Sequence, residues 1–131
     1  MKNLLICFAI AFVAIAFTSS NPMAQGKGNS LRHVVLFKFK DTSSAEDVKK
    51  VVDAFEALPK KIKQIKAFEW GTNNSPEGLN QGLTHAFILT FNSEKDRDDY
   101  LVHPDHKVFG GIVGPHLDGV TVVDFWVDSN S

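Results

Sequence analysis

The chain has 131 residues, 44% of them hydrophobic, with 14 basic and 15 acidic side chains and a formal net charge of −1. That near-balance excludes the basic footprint of a nucleic-acid binder and the acidic run of an interaction tail. The length allows one domain with a modest core, which would gain from burying further surface against a partner.

Lys2 precedes an unbroken apolar run, residues 4–17, that carries no charge. As a helix at about 1.5 Å per residue the run reaches roughly 21 Å, short of the roughly 30 Å hydrocarbon core of a bilayer. A positive start and a short apolar stretch read as a secretory signal rather than a retained anchor. Thr18 and Ser20 put small residues where a signal peptidase needs them, and the cut is expected between Ser20 and Gln25. Residues 1–24 are therefore assigned to the signal peptide, 25–30 to a flexible lead-in and 31–127 to the domain. The mature protein is expected to be periplasmic or secreted, with no membrane attachment. Cys7, the one cysteine, leaves with the signal, which excludes disulfides and thiol chemistry.

Residues 31–40 alternate so that His33, Val35, Phe37 and Phe39 share one face and Val34 and Leu36 the other. This predicts a strand with apolar residues on both sides. Ser43 with Glu46 reads as a capping box. Val48, Val51, Val52, Phe55 and Leu58 then recur at helical spacing, with Lys49, Lys50, Asp53 and Glu56 opposite, until Pro59 stops the helix. Residues 65–71 predict a second strand and 72–82 a polar loop. His85, Phe87, Leu89 and Phe91 form one face of a third strand. Ser93, with Asp96 three residues on, caps a second helix that must break before Pro104. Pro104 opens a short further helix that ends at Gly110 and Gly111. A last strand covers residues 120–127.

The order β-α-β-β-α-β predicts an α+β, ferredoxin-like sandwich: a four-stranded antiparallel sheet with both helices on one face. Val34, Leu36, Ile88 and Trp70 or Phe68 point to a second face that is also covered, most simply by the sheet of another copy. A homodimer is the expected assembly.

The first and third strands are the central pair, and right-handed crossovers are expected to run them parallel. His33 and His85 would then begin their strands at the same end of the sheet. The second helix would return Tyr100, His103 and His106 to that end. Imidazoles beside a phenol suit proton transfer, because histidine titrates near neutrality and tyrosine donates to a developing oxyanion. Each residue also has a structural reading: strand-end histidines with backbone partners, a core aromatic, and His103 packing or capping the helix break. His103 and His106 lack the carboxylate support a metal needs, so no metal is expected. No phosphate-cradling loop, nucleophile elbow or zinc signature is present, and no cofactor is expected.

At these residues the chain resembles the stress-responsive dimeric α/β-barrel (Dabb) family. Arg32-His33-Val34-Val35-Leu36-Phe37-Lys38-Phe39-Lys40 is similar to its opening strand. Gly82-Leu83-Thr84-His85 and Tyr100-Leu101-Val102-His103-Pro104-Asp105-His106 match two further hallmarks, and Val123-Asp124-Phe125 its closing strand. The resemblance spans residues 31–127. It implies ferredoxin-like monomers paired sheet to sheet into a barrel. The family includes plant stress proteins of unclear biochemistry and polyketide cyclases. In the cyclases a Tyr and the second His of this motif carry acid/base catalysis of an aldol-type closure. The matching positions are Tyr100 and His106, with His33 and His85 lining the same pocket.

Two functions therefore compete. One is an exported, stress-response-type homodimer without a defined catalytic role, binding a small apolar or aromatic ligand. The other is a cofactor-free acid/base enzyme, cyclase-like or lyase-like, in which His106 is the base and Tyr100 the oxyanion donor. His33, His85, Phe37 and Phe87 would contact the substrate. An open cavity separates the two, because Phe37, Phe87, Phe109 and Val108 filling that space would defeat catalysis.

Overall fold

The computed structural model of the chain describes residues 30–128. The signal peptide expected at residues 1–24, and all but the last residue of the lead-in, lie outside the described residues.

Strand β1 (Leu31–Phe39) leads through a short turn to helix α1 (Ala45–Glu56) and a single helical turn, α2 (Leu58–Lys61). The chain continues through β2 (Ala67–Thr72), β3 (His85–Phe91), α3 (Glu94–Val102) and α4 (Pro104–Val113). A 3₁₀ turn (Gly114–His116) then feeds β4 (Leu117–Trp126). The sheet order is β2-β3-β1-β4, and every neighbouring pair is antiparallel. This is the ferredoxin-like arrangement that the element order predicts.

Several boundaries differ from the sequence reading for local reasons. The capping box is formed by Ser44 and Asp47, not Ser43 and Glu46: Ser44 Oγ accepts the Asp47 N–H at 3.1 Å and the Asp47 carboxylate accepts the Ser44 N–H at 3.0 Å. The Ser43 hydroxyl is engaged instead with His116 Nδ1, at 2.9 Å. Helix α1 ends at Glu56, ahead of Pro59 as expected, but Pro59 also sits in the first turn of the short helix α2, where its missing N–H costs nothing. Helix α4 runs through Gly110 and Gly111 to Val113, because Phe109 and Val113 pack into the core and hold the helix past both glycines.

Strand direction is the larger correction. β1 and β3 are antiparallel, with His33 opposite Leu89 and Phe37 opposite His85. The right-handed crossover rule joins β1 to β2, which lie on either side of β3 and run parallel. The β2–β3 hairpin then reverses the chain, so β3 opposes both.

The core lies between the sheet and the helices. Phe55 from α1 is its centre, with ring centroids 4.4 Å from Phe109, 4.6 Å from Phe87, 5.2 Å from Phe68 and 5.9 Å from Phe37. Phe68 and Trp70 also belong to this side, since they pair with Leu89 and Phe87, and Trp70 donates its indole N–H to Glu56. They do not contribute to the open sheet face, as the sequence reading allowed. A one-residue change in parity moves a strand residue to the other side. The open face instead carries half-buried Val34, Leu36 and Ile88 beside exposed Val123 and Phe125. None of the helices in the described residues is long and apolar enough to cross a membrane.

Helix α3 begins where Ser93 Oγ accepts the Asp96 N–H at 3.0 Å. Replacing Ser93 by Ala orphans that donor and is expected to cost about 1 kcal/mol. In a domain of this size that lowers the melting temperature by about 4–8 °C, readable in thermal denaturation followed by circular dichroism.

Candidate functional site

A cleft of about 530 Å³ opens between the helix-facing side of β1 and β4 and the helices α3 and α4. Its polar lining is His33, Arg97, Asp98, Tyr100, His106 and Asp124, and its walls include Val35, Phe37, Phe109, Val120 and Val122.

Strand register builds the first half of the site. His33 on β1 stands directly opposite Asp124 on β4, and His33 Nδ1 lies 2.7 Å from Asp124 Oδ1. An ionised carboxylate can only accept, so His33 donates to Asp124 through Nδ1. The second carboxylate oxygen of Asp124 accepts from Arg97 Nη1 at 2.8 Å, and Arg97 Nε donates to Asp98 at 2.9 Å.

The helices build the second half. Arg97 and Tyr100 are three residues apart on α3 and so share a face. Tyr100 is 1% exposed, with its ring centroid 5.7 Å from His33 and 4.5 Å from His106. Burial pushes the Tyr100 phenol well above its usual range, which keeps it a proton donor. The break between α3 and α4 is made by His103, whose Nδ1 accepts the Asp105 N–H at 3.1 Å as the cap of α4. His103 is thus a structural residue. One turn on, His106 Nδ1 donates to the Leu101 carbonyl at 3.1 Å, so its Nε2 is the free acceptor.

Burial lowers the pKa of His106, with the nearby His33 and His103 adding to the effect and the Leu101 carbonyl opposing it. Burial also lowers that of His85. Both are therefore neutral at pH 7, and the unfolded chain binds their protons more readily than the folded one. Their contribution to stability is complete above the ordinary histidine value of about 6.5 and is lost as the pH falls below it. Melting temperatures should fall on acidification through that range, and His106→Ala should flatten the decline.

The structure thus brings His33, Phe37, Tyr100 and His106 to one cleft. Phe87 is fully buried in the core and does not line it. His85 is at the opposite end of the sheet, as the antiparallel register requires. Its ring is stacked on Trp70 at 6.2 Å and meets Phe39 edge-on at 5.1 Å, and its Nδ1 is 2.9 Å from the Thr84 hydroxyl. It borders a separate hollow of about 480 Å³ with Thr72, Asn80 and Thr84. Phe109 forms a wall of the first cleft while Val108 is exposed, so these residues leave the space open.

The sequence reading assigned no role to Arg97 or Asp124. Asp124 was legible as the single charge among residues 120–126 (Val-Thr-Val-Val-Asp-Phe-Trp), on the parity of Val120 and Val122. Arg97 had no comparable signal. Among the described residues no group of three or more His, Cys, Asp or Glu side chains is arranged to hold a metal.

The family described as the stress responsive A/B barrel domain matches residues 31–127. A stress-response A/B barrel domain-containing protein of Arabidopsis thaliana, HS1, is 39% identical over 103 residues, covering 79% of this chain and 94% of that protein. Olivetolic acid cyclase of Cannabis sativa is 25% identical over 96 residues, covering 73% of this chain and 95% of the cyclase. Among solved structures, a dimeric protein of unknown function with a ferredoxin-like fold from Bacteroides fragilis superposes with a TM-score of 0.62. It is 30% identical, over 75% of this chain and 96% of that one.

Proposed function

Because this chain belongs to the stress-responsive A/B barrel domain family, we propose that it is a sheet-to-sheet homodimer whose cleft binds a small, largely apolar carbonyl compound and moves its protons without a cofactor. The observation that carries this reading is the pairing of a protonated phenol, Tyr100, with a neutral imidazole whose Nε2 is free, His106. Their ring centroids are 4.5 Å apart in an open cleft.

In the reaction, the Tyr100 hydroxyl donates a hydrogen bond to the carbonyl oxygen as charge gathers there. His106 Nε2 takes the proton from the neighbouring carbon and returns it to the product. Phe37, Phe109 and Val122 hold the apolar body and keep water from the developing enolate. His33, oriented by Asp124, stands beside the Tyr100 ring at 5.7 Å and helps to line the ligand space. The resemblance to cyclases in which the matching Tyr and His carry an aldol-type closure supports a carbonyl substrate. Homodimerisation is supported by the apolar open face of the sheet and by the dimeric Bacteroides neighbour. The apolar run at residues 4–17 supports export, so the ligand would be met in the periplasm or outside the cell.

Phenylacetone in deuterated water tests the chemistry without knowledge of the natural substrate. Catalysed loss of its α-proton signals above the buffer rate is the expected result. Binding in the cleft without exchange would discard catalysis and leave a ligand-binding protein.

A further inference from the structure

The charges of the cleft say more about its ligand than its shape does. Among the described residues Arg97 is the one Lys or Arg in the lining, and both of its engaged nitrogens serve carboxylates of this chain: Nη1 donates to Asp124 Oδ2 at 2.8 Å and Nε to Asp98 Oδ1 at 2.9 Å. The Arg97 and Asp124 side chains are each only 21% exposed, so solvent screens their pair far less than a surface ion pair. Two carboxylates, Asp124 and the more exposed Asp98, therefore stand against one guanidinium, and the buried Tyr100 phenol and His106 imidazole add no compensating charge.

A ligand carboxylate entering here has two courses, both unfavourable. It can take only the Arg97 N–H groups that Asp124 and Asp98 leave uncommitted, as a third carboxylate against one guanidinium. It can instead displace Asp124 from Arg97, which also disturbs the Asp124–His33 hydrogen bond of 2.7 Å and strands a half-buried carboxylate. A ketone or aldehyde asks for neither, because its oxygen needs only a neutral donor. We propose that the cleft selects uncharged carbonyl compounds over carboxylates, and that Asp124 enforces this by withholding Arg97 from the ligand. Asp124 thus has two tasks: one oxygen orients His33, and the other occupies the guanidinium that would otherwise capture an acid. The inference rests on the reading of this cleft as the ligand site.

Phenylacetone and phenylacetate form a matched pair of probes, since the acid replaces the ketone's methyl group by a charged oxygen. Each is titrated into the full mature protein at neutral pH while the backbone amides of Tyr100, His106 and Gly110 are followed by NMR. The ketone is expected to shift these amides, and the acid to bind about tenfold more weakly or worse, as like-charge juxtaposition requires. In Asp124→Asn, an isosteric change, the carboxylate charge that competes for Arg97 is removed and the preference for the ketone should fall toward parity. In the double variant Arg97→Gln, Asp124→Asn the gain for the acid should vanish, which assigns it to the guanidinium. Equal affinities in the native protein would overturn the selectivity while leaving the ligand site intact. So would an Asp124→Asn variant with a native-like amide spectrum and no improvement for the acid. Shifts from neither probe would remove the ligand site itself, and the selectivity with it.

Discussion

Replacing His106 by Ala is expected to lower the catalysed exchange of phenylacetone α-protons by about a hundred- to ten-thousand-fold, the range a positioned general base supplies. His106 Nδ1 is committed to the Leu101 carbonyl, which fixes the ring and leaves Nε2 as the proton acceptor. Burial holds the group neutral, and so competent, at pH 7. The ring is half-buried at the cleft rather than inside the core, so its loss should leave the fold and the assembly unchanged. Light scattering on the eluting species checks that. Tyr100→Phe removes only the oxyanion donor and should cost about a hundred- to a thousand-fold by the precedent of single donors. If His106→Ala exchanges at the native rate, some other group is the base and the assignment fails.

The largest stability effect is expected at Phe55. Its side chain is 1% exposed and meets Phe37, Phe68, Phe87 and Phe109 within one aromatic cluster. Truncation to Ala removes the transfer free energy of the ring and leaves a cavity whose walls come from three strands and α4, which cannot all collapse onto it. About 3–5 kcal/mol is expected. At roughly 4–8 °C per kcal/mol for a domain of this size, the melting temperature drops by more than about 12 °C. Val108→Ala is the matching control: 61% exposed on α4, it should stay within about 0.5 kcal/mol of the native protein. A small effect at Phe55 would mean that the aromatic cluster is not the centre of the core.

Much of the architecture was legible because it is local. Strand alternation, helical spacing, Ser93 as a cap and Pro104 as a restart each depend on residues within a few positions of one another, and each appears in the structure. The four phenylalanines of β1 and β3 that share parity with His33 and His85, namely Phe37, Phe39, Phe87 and Phe91, pack on the core side, as alternation implies. Where local signals were doubled, as with Ser43 and Ser44, the choice went to the residue whose neighbour had another partner: Ser43 bonds His116, seventy-three positions away. The helix-facing position of Phe68 and Trp70 followed from pairing with β3, not from anything within β2.

The candidate site divides along the same line. Tyr100 and His106 lie in one short segment, and the helix break between them brings their rings together, so their proximity was legible in the motif alone. His85 was misplaced because its location depends on strand direction, a property of the whole β-α-β-β order. Once β3 opposes β1, the two histidines separate by four residues of strand, roughly 13 Å. Arg97 and Asp124 acquire their roles only through register: β4 must pair with β1 so that Asp124 meets His33, and α3 must cross above them so that Arg97 reaches the same carboxylate. Periodicity, caps and the Tyr-x-x-His-Pro-x-His segment are short-range and survive in the linear chain. Charge pairing across a sheet has no linear signature, because what it requires is two distant residues facing each other on one side of a pleat.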